Sequence, residues 1–429
     1  MTYDIPPELK HKEKIMFGLT FSQLAYAFPT FLIIFFIVLK SSLSLELSLG
    51  LSFPFVALAV FFMFFDGKNK TLNLIKHLRN QEVEVNSEKL KEIINIKKIQ
   101  HNIVETSKSK LSILEVVPLN FMIRTEEEKE TIINGFQKFL NSLDFPIQIH
   151  INSTPINLRK HLKHLASKNI DPQLFDNYCK FIKNTLKENN VQNRTFYIII
   201  PQKEHLEIQT SVCEDKLRNL GLKVKRLKDP ELLSLFYNYT AQNKEKKLPN
   251  NQQISNYTHF LLAPEKINFY HDHFKINQTY CKVLTLTGYP QTVELGFLDK
   301  IISKGENYDI SIHIEPFPIE YTMIQLNREL QKQQSDLYTD TKKGIYNPSL
   351  EIKFSSTKKV LEDLQKGKQK LYNVSLYIMC KGKTLEEVNL LIKKVKAELD
   401  GLMIQTKTPT FQMMNAYESM LPLGKNSLG

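Results

Sequence analysis

Residues 15 to 65 constrain this chain more than any other stretch. They hold two apolar runs, Ile15–Leu39 and Leu47–Phe65, joined by a short connection around Lys40–Glu46. The second run, LSLGLSFPFVALAVFFMFF, carries no charge over 19 residues. That is close to the roughly 20 apolar residues a helix needs to cross a bilayer core. The first opens on the mixed segment IMFGLTFSQ, is interrupted by Pro29, and has the dense centre FLIIFFIVL. Two spans joined this tightly predict an N-terminal two-helix transmembrane hairpin with both ends on one side. Lys10, Lys12 and Lys14 precede the first run, and Lys68, Lys70, Lys76 and Arg79 follow the second. Lys40 alone lies in the turn. Lys and Arg mark the cytoplasmic face, so the expected placement is the cell membrane, with two spans and both termini cytoplasmic. A cleaved signal peptide fits poorly, because no small-residue cleavage site follows the first run and a second span comes at once. The competing reading is a buried hairpin in a soluble domain, but charge-free, Phe-rich helices seldom suit one.

The 429 residues leave room for two or three domains. A net charge of +12 and a pI near 9.2 call for an anionic neighbour. Beside a membrane span the lipid headgroups come first and nucleic acid second. The basic residues are dispersed, with small groups at 223–226 (KVKR) and 244–247 (KEKK), as on a solvated face. Cys179, Cys213, Cys281 and Cys380 form no C-x-x-C pair, so neither a zinc nor a redox motif is visible. A reduced cytoplasmic set is expected.

The domain expectation is a membrane hairpin over 1–66 and a basic juxtamembrane linker over 67–110. A first α+β domain over 111–240 follows, then a linker over 241–256 and a second α+β domain over 257–429. LNLIKHLRN and SEKLKEIINIKKIQ read as short amphipathic helices. Strands are expected at 111–123, 145–151, 194–201 and 222–227. Helices are expected from Glu126, over about 156–188, over 204–221 closed by Gly221, and from Asp229 with Pro230 in its first turn. This order suggests an α/β sandwich. The second unit has strands at 279–290, 308–317 and 370–382. Its helices are expected over 293–303, 319–335, 349–370 and 385–401, the last closed by Gly401.

No catalytic, cofactor-binding or metal-ligating residue emerges. Gly382-Lys383-Thr384 follows a strand and opens a helix, as a phosphate-binding loop does. A P-loop also needs a glycine five residues earlier so that flexible backbone can wrap the phosphates, and that position is Tyr377. The triplet reads as a strand–helix turn. The run Leu423-Gly424-Lys425-Asn426-Ser427 fails because Asn426 intrudes. Tyr270-His271-Asp272-His273 has no companion ligands at metal-site spacing. His161 and His164, at i and i+3 on a lysine-rich stretch, read as an exposed polar face. Glu126, Glu127 and Glu128 sit where a helix dipole favours acids. No G-x-S-x-G context is present.

Several passages resemble a known family. YDIPPEL and KIMFGLTFSQL, followed by the two apolar runs and a basic tail, resemble PrgI-like membrane proteins of conjugation and type IV secretion machines. VVPLNFMIRTEEEKETIINGFQKFLNSLDFPIQIHI, KVLTLTGYPQTVELGFLDKII and NAYESMLPLG resemble the N-terminal region of TraC/CagE/TrbE-type conjugation ATPases. The resemblance implies a membrane-anchored docking and assembly part of such an ATPase, at the cytoplasmic base of the channel. Its partners would be inner-membrane channel components, further copies of itself and the bilayer, with nucleic acid only indirect. ATP and magnesium are expected only for a downstream motor domain, since this sequence holds no P-loop. A non-enzymatic scaffold of the same machinery and a membrane-tethered nucleic-acid-binding protein are the alternatives.

Overall fold

A computed structural model describes residues 2–4, 14–16, 19–40, 45–64, 67–79, 82–84, 94–121, 123–155, 162, 165–167, 171–189, 192–240, 264, 266–290, 292–367 and 369–429. It divides into two units, residues 7–81 and residues 1–6 with 82–429. Strand β1 (Thr2–Asp4) belongs to the larger unit. The smaller unit holds the paired strands β2 (Lys14–Met16) and β3 (Leu19–Thr20), then helices α1 (Phe21–Lys40), α2 (Leu45–Phe64) and α3 (Gly67–Arg79). Helices α1 and α2 lie side by side. Gln23 Nε2 donates to Met63 O at 3.0 Å, and the Tyr26 and Phe62 rings stand 5.6 Å apart.

This overturns the expected two-span transmembrane hairpin. Among the described residues only Glu46–Met63 is long and apolar enough to cross a membrane. The apolar part of α1 is Gln23–Val38, about 24 Å at 1.5 Å per residue, against a hydrocarbon core of about 30 Å. The run looked longer in sequence because its first residues, which form β2 and β3, are apolar too.

The larger unit continues with β4 (Glu82–Glu84), β5 (Ile96–Gln100), β6 (Ile103–Thr106), β7 (Lys110–Val117), α4 (Glu126–Asn141), β8 (Ile147–Pro155), α5 (Pro172–Asn189) and β9 (Gln192–Pro201). Next come α6 (Leu206–Asn219), β10 (Lys223–Arg226), α7 (Asp229–Thr240), β11 (Lys266–Phe269), β12 (Phe274–Ile276), β13 (Thr279–Gly288), β14 (Thr292–Glu294), α8 (Asp299–Ser303) and β15 (Tyr308–Pro316). The chain closes with α9 (Ile319–Lys342), α10 (Pro348–Gln365), β16 (Tyr372–Gly382), α11 (Leu385–Gly401), β17 (Gln405–Lys407) and α12 (Met413–Met420).

The expected two α/β sandwich-like units are replaced by one sheet. Among the described residues thirteen strands run in the order β4-β11-β12-β13-β16-β15-β8-β9-β7-β6-β5, with β10 on the flank of β7 and β17 on that of β13. Every pairing is antiparallel. Within this sheet one order occurs twice, β10-β7-β9-β8 and β17-β13-β16-β15. Each is a split β-α-β pattern, and the two meet where β8 pairs with β15. There Ile147, Ile149 and Ile151 face Ile314, Ile312 and Ile310. Left apart, each group would end in a long apolar edge strand, a template for aggregation. Joined, the two edges satisfy each other and pack three β-branched pairs, the outer two buried and the central Ile149–Ile312 pair half-buried. The linker that suggested separate domains connects two parts of one sheet.

The sheet is covered on both faces. Phe139 of α4 and Leu206, Cys213 and Leu217 of α6 pack on Leu114, Ile147, Ile198 and Ile200. On the same side Val388, Ile392, Val395 and Leu399 of α11 pack on Leu284, Ile310, Leu376 and Ile378. The opposite face meets Leu232, Leu233, Phe236 and Tyr239 of α7, and Met413, Ala416, Tyr417 and Met420 of α12.

Local chemistry explains the helix ends. The Thr125 side chain accepts from Glu128 N, and Glu128 Oε2 accepts from Thr125 N at 3.1 Å, a capping box. Thr125→Ala is expected to lower stability by about 1 kcal/mol, read as a shift in the denaturant midpoint. Gly221 follows α6 with φ +81. Gly401 does not close α11 but is its last helical residue, and the left-handed position falls on Met403, φ 58. Residues 96–100, read as helix from their spacing, form β5, because the segment pairs with β6 and buries Ile96 and Ile99. Of the helix expected over 293–303, only α8 forms.

Candidate functional site

A polar seam crosses the middle of the sheet on the face that meets α7 and α12. The alternation of a strand puts Gln148 and His150 of β8 on that face, beside Asp309, Ser311 and His313 of β15 and Lys381 of β16. All six are buried.

At one end lies an ion pair. Lys381 Nζ donates to both oxygens of Asp309 at 2.9 Å, and Asp309 Oδ1 also accepts from Ser153 N at 2.9 Å. The two side chains are 8% and 0% exposed, so each is the other's compensation for lost hydration. At the other end, sheet side chains hold the carbonyls that close α12. His313 Nε2 and Ser311 Oγ donate to Ser419 O at 2.8 and 3.1 Å. Tyr239 Oη donates to Met420 O at 3.2 Å, and Gln148 Nε2 donates to Leu421 O at 2.9 Å. Gln148 Oε1 accepts from Gly424 N at 2.7 Å. These are carbonyls a helix C-terminus cannot satisfy internally. The seam therefore does two things: it locks the two halves of the sheet in register, and it clamps residues 413–424 across their junction.

Its titratable groups are held neutral or paired. Burial, only partly offset by Asp309, lowers the His150 pKa to about 4. Both its ring nitrogens lack partners, and its ring stands 5.3 Å from that of Tyr239. Burial pushes the Cys281 thiol on this face up to about 12 and the Cys380 thiol on the opposite face higher, so neither is a thiolate nucleophile. The low His150 pKa ties stability to pH. Its folded pKa lies below the unfolded value of about 6.5, so the unfolded chain binds the proton first. Stability is intact above pH 6.5 and declines as pH falls from 6.5 to 4. The loss reaches about 3 kcal/mol from this residue. His150→Phe is expected to flatten that part of a stability–pH curve relative to the unaltered chain.

The residues singled out from sequence lie elsewhere. Gly382-Lys383-Thr384 is the β16–α11 turn. Lys383 N donates to Glu387 Oε2 at 2.8 Å, and Thr384 Oγ1 caps Glu387 N at 3.2 Å. A Cβ on Gly382 would stand 2.9 Å from Val388 Cγ2, so glycine is needed for close approach. In the 423–427 run, Lys425 pairs with Glu418, Ser427 N donates to Ser419 Oγ at 2.9 Å, and Tyr377 Oη donates to Asn426 Oδ1 at 2.7 Å. This run folds onto the sheet beside the seam. Tyr270–His273 forms the β11–β12 turn. Burial disfavours the Asp272 carboxylate, yet hydrogen bonds from His273 and Lys282 hold its pKa down at about 2. Among the described residues no group of three or more His, Cys, Asp or Glu is placed to hold a metal. His161 and His164 lie outside the described residues, as does the 244–247 group. In the other basic group, Arg226 pairs with Glu207 at 2.6 and 2.8 Å and Lys225 pairs with Glu231, so that stretch presents little uncompensated charge.

The seam was missed in sequence, although its signal is there. IQIHI (147–151) and ISIHI (310–314) alternate isoleucine with Gln, His and Ser on two strands that are both central.

Residues 96–261 match the family described as the archaeal TraC-like domain. The match runs from β5 through α7 and takes in the first of the two repeated strand orders. It includes the passage from Val116 to Ile151. The PrgI-like opening and the passages at 282–302 and 415–424 fall outside it. The match supports a TraC-type relation for the chain, and with it a role related to conjugation or type IV secretion. No curated protein matches the sequence.

Proposed function

We propose that the chain is a docking and assembly component of a conjugative-transfer or type IV secretion machine, acting at the cytoplasmic base of its channel. The observation that carries this reading is the match of residues 96–261 to the archaeal TraC-like domain. The fold suits such a role. Its polar groups are turned inward to hold a large sheet rigid, and its outer helices offer contact surface. The α9–α10 pair is the largest insertion in the second repeat and exposes Tyr338, Tyr346 and Ile352. In this reading its partners are inner-membrane channel components and further copies of the chain. Helix Glu46–Met63 supplies a tether to the bilayer, and nucleic acid is met only through the machine.

The test is in-cell photo-crosslinking of the full chain, with the crosslinker at Tyr338 or Tyr346, in cells that carry a transfer machine. The reading expects channel subunits or a motor ATPase among the adducts, and loss of transfer when the gene is deleted. Transfer that proceeds unchanged without the gene, with no machine component crosslinked, would sink it.

A further inference from the structure

Helix α3 takes no part in the larger unit's sheet, and it is basic where its neighbours α1 and α2 are apolar. GKNKTLNLIKHLR contains no acidic residue. Leu72, Ile75 and Leu78 fall at i, i+3 and i+6 and share one helix face. They are 46%, 61% and 61% exposed, and Leu74 on the flank of that face is exposed as well. The opposite arc carries Lys70, Asn73 and His77, Lys76 flanks the stripe beside Leu72, and by sequence spacing Lys68 and Arg79 at the two ends fall on the apolar side, where long basic side chains reach outward past it.

Helix α3 also has a fixed neighbour. It starts just after α2, whose surface exposes Phe53, Leu58 and Val60. At Gly67 a Cβ would stand 2.7 Å from Phe61 Cδ1 and 2.9 Å from Phe62 Cα, so only glycine fits the corner between the two helices. Thr71 Oγ1 donates to Gly67 O at 2.8 Å and stiffens the first turn.

We infer that α3 is an interfacial helix that docks on a lipid surface bearing anionic headgroups. Its Leu72–Ile75–Leu78 face enters the boundary of the acyl chains, and its lysines meet the headgroup phosphates. Three observations select this occupant. A basic helix with an exposed apolar stripe is the pattern of an in-plane membrane helix. A nucleic acid would engage the charge but leave the stripe in water. The corner at Gly67 joins this helix directly to the end of Glu46–Met63, the segment apolar enough for a bilayer, and basic residues gather at the cytoplasmic end of such segments. The inference rests on α2 and α3 and stands whether or not the chain serves a transfer machine.

The chain contains no tryptophan, so one substitution gives a position-specific optical probe in the full protein. Ile75→Trp reports the apolar face and Asn73→Trp the opposite one. Each variant is mixed with phosphatidylcholine vesicles, with and without phosphatidylglycerol, in lipids whose acyl chains carry bromine as a quencher. The expected result is a blue shift and strong quenching of the residue-75 probe in the anionic vesicles, with the residue-73 probe left near its aqueous emission. Replacing Lys70 or Lys76 by Gln is expected to weaken the anionic-vesicle partitioning about fivefold per charge. Equal quenching at 73 and 75, or an equal response in pure phosphatidylcholine, would overturn the inference. So would a residue-75 probe that stays unquenched while Val60→Trp in α2 is quenched. A residue-75 shift on duplex DNA without one on anionic vesicles would assign the helix to nucleic acid instead.

Discussion

Lys381→Met is expected to cost the fold about 3–5 kcal/mol, among the largest losses any single substitution outside the apolar core would cause. The side chain it removes is the cation paired with Asp309, which is wholly enclosed and would be left with neutral donors such as the Ser153 amide. An unpaired carboxylate in that position must either stay charged without hydration or take up a proton. The matched double variant Asp309→Leu with Lys381→Met removes both charges and is expected to recover most of the loss, because neither ion then needs desolvation. The denaturant midpoints of the two single variants and the double complete a cycle that isolates the coupling. Faster hydrogen exchange at Ser153 N in Lys381→Met would locate the damage at the junction of the two repeats. A single variant as stable as the unaltered chain would show that the pair does not hold that junction.

Short-range features of this fold could be read from the sequence, and long-range ones could not. Strands such as 194–201 and 308–317 are strong in branched residues, and Thr125 with Glu128 is a local signal needing nothing from afar. The joining of β8 to β15 had no local signal, because it is a choice between leaving two isoleucine edges exposed and pairing them across a long stretch of chain. The same choice hid the seam. Gln148 and His150 look like the wet side of a half-buried strand until the end of α12 meets the first and Tyr239 of α7 the second. The segment 96–100 misled for a similar reason: its spacing allows a helix, and only the pairing with β6 decides otherwise. At the N-terminus composition was persuasive but length was decisive, since apolar character begins before α1 does.

Tyr417→Ala is expected to cost about 3–5 kcal/mol, while Tyr417→Phe is expected to be neutral or slightly stabilising. Tyr417 projects from α12 and is fully enclosed, its ring 5.2 Å from Phe274 and 6.5 Å from Phe269. Truncation would empty the space between α12 and the β11–β12 hairpin of the sheet. Its hydroxyl, however, is buried with no hydrogen-bond partner, so deleting that oxygen removes an unmet polar group instead of a bond. Tyr239 provides the contrast. Its hydroxyl donates to Met420 O, so Tyr239→Phe strands a buried carbonyl and is expected to cost about 1–3 kcal/mol. Thermal or denaturant midpoints of the three variants decide the matter. If Tyr417→Phe were as damaging as Tyr417→Ala, the hydroxyl would have a partner that this packing does not provide. If Tyr239→Phe were neutral, the clamp on residues 413–424 would rest on Gln148, Ser311 and His313 alone.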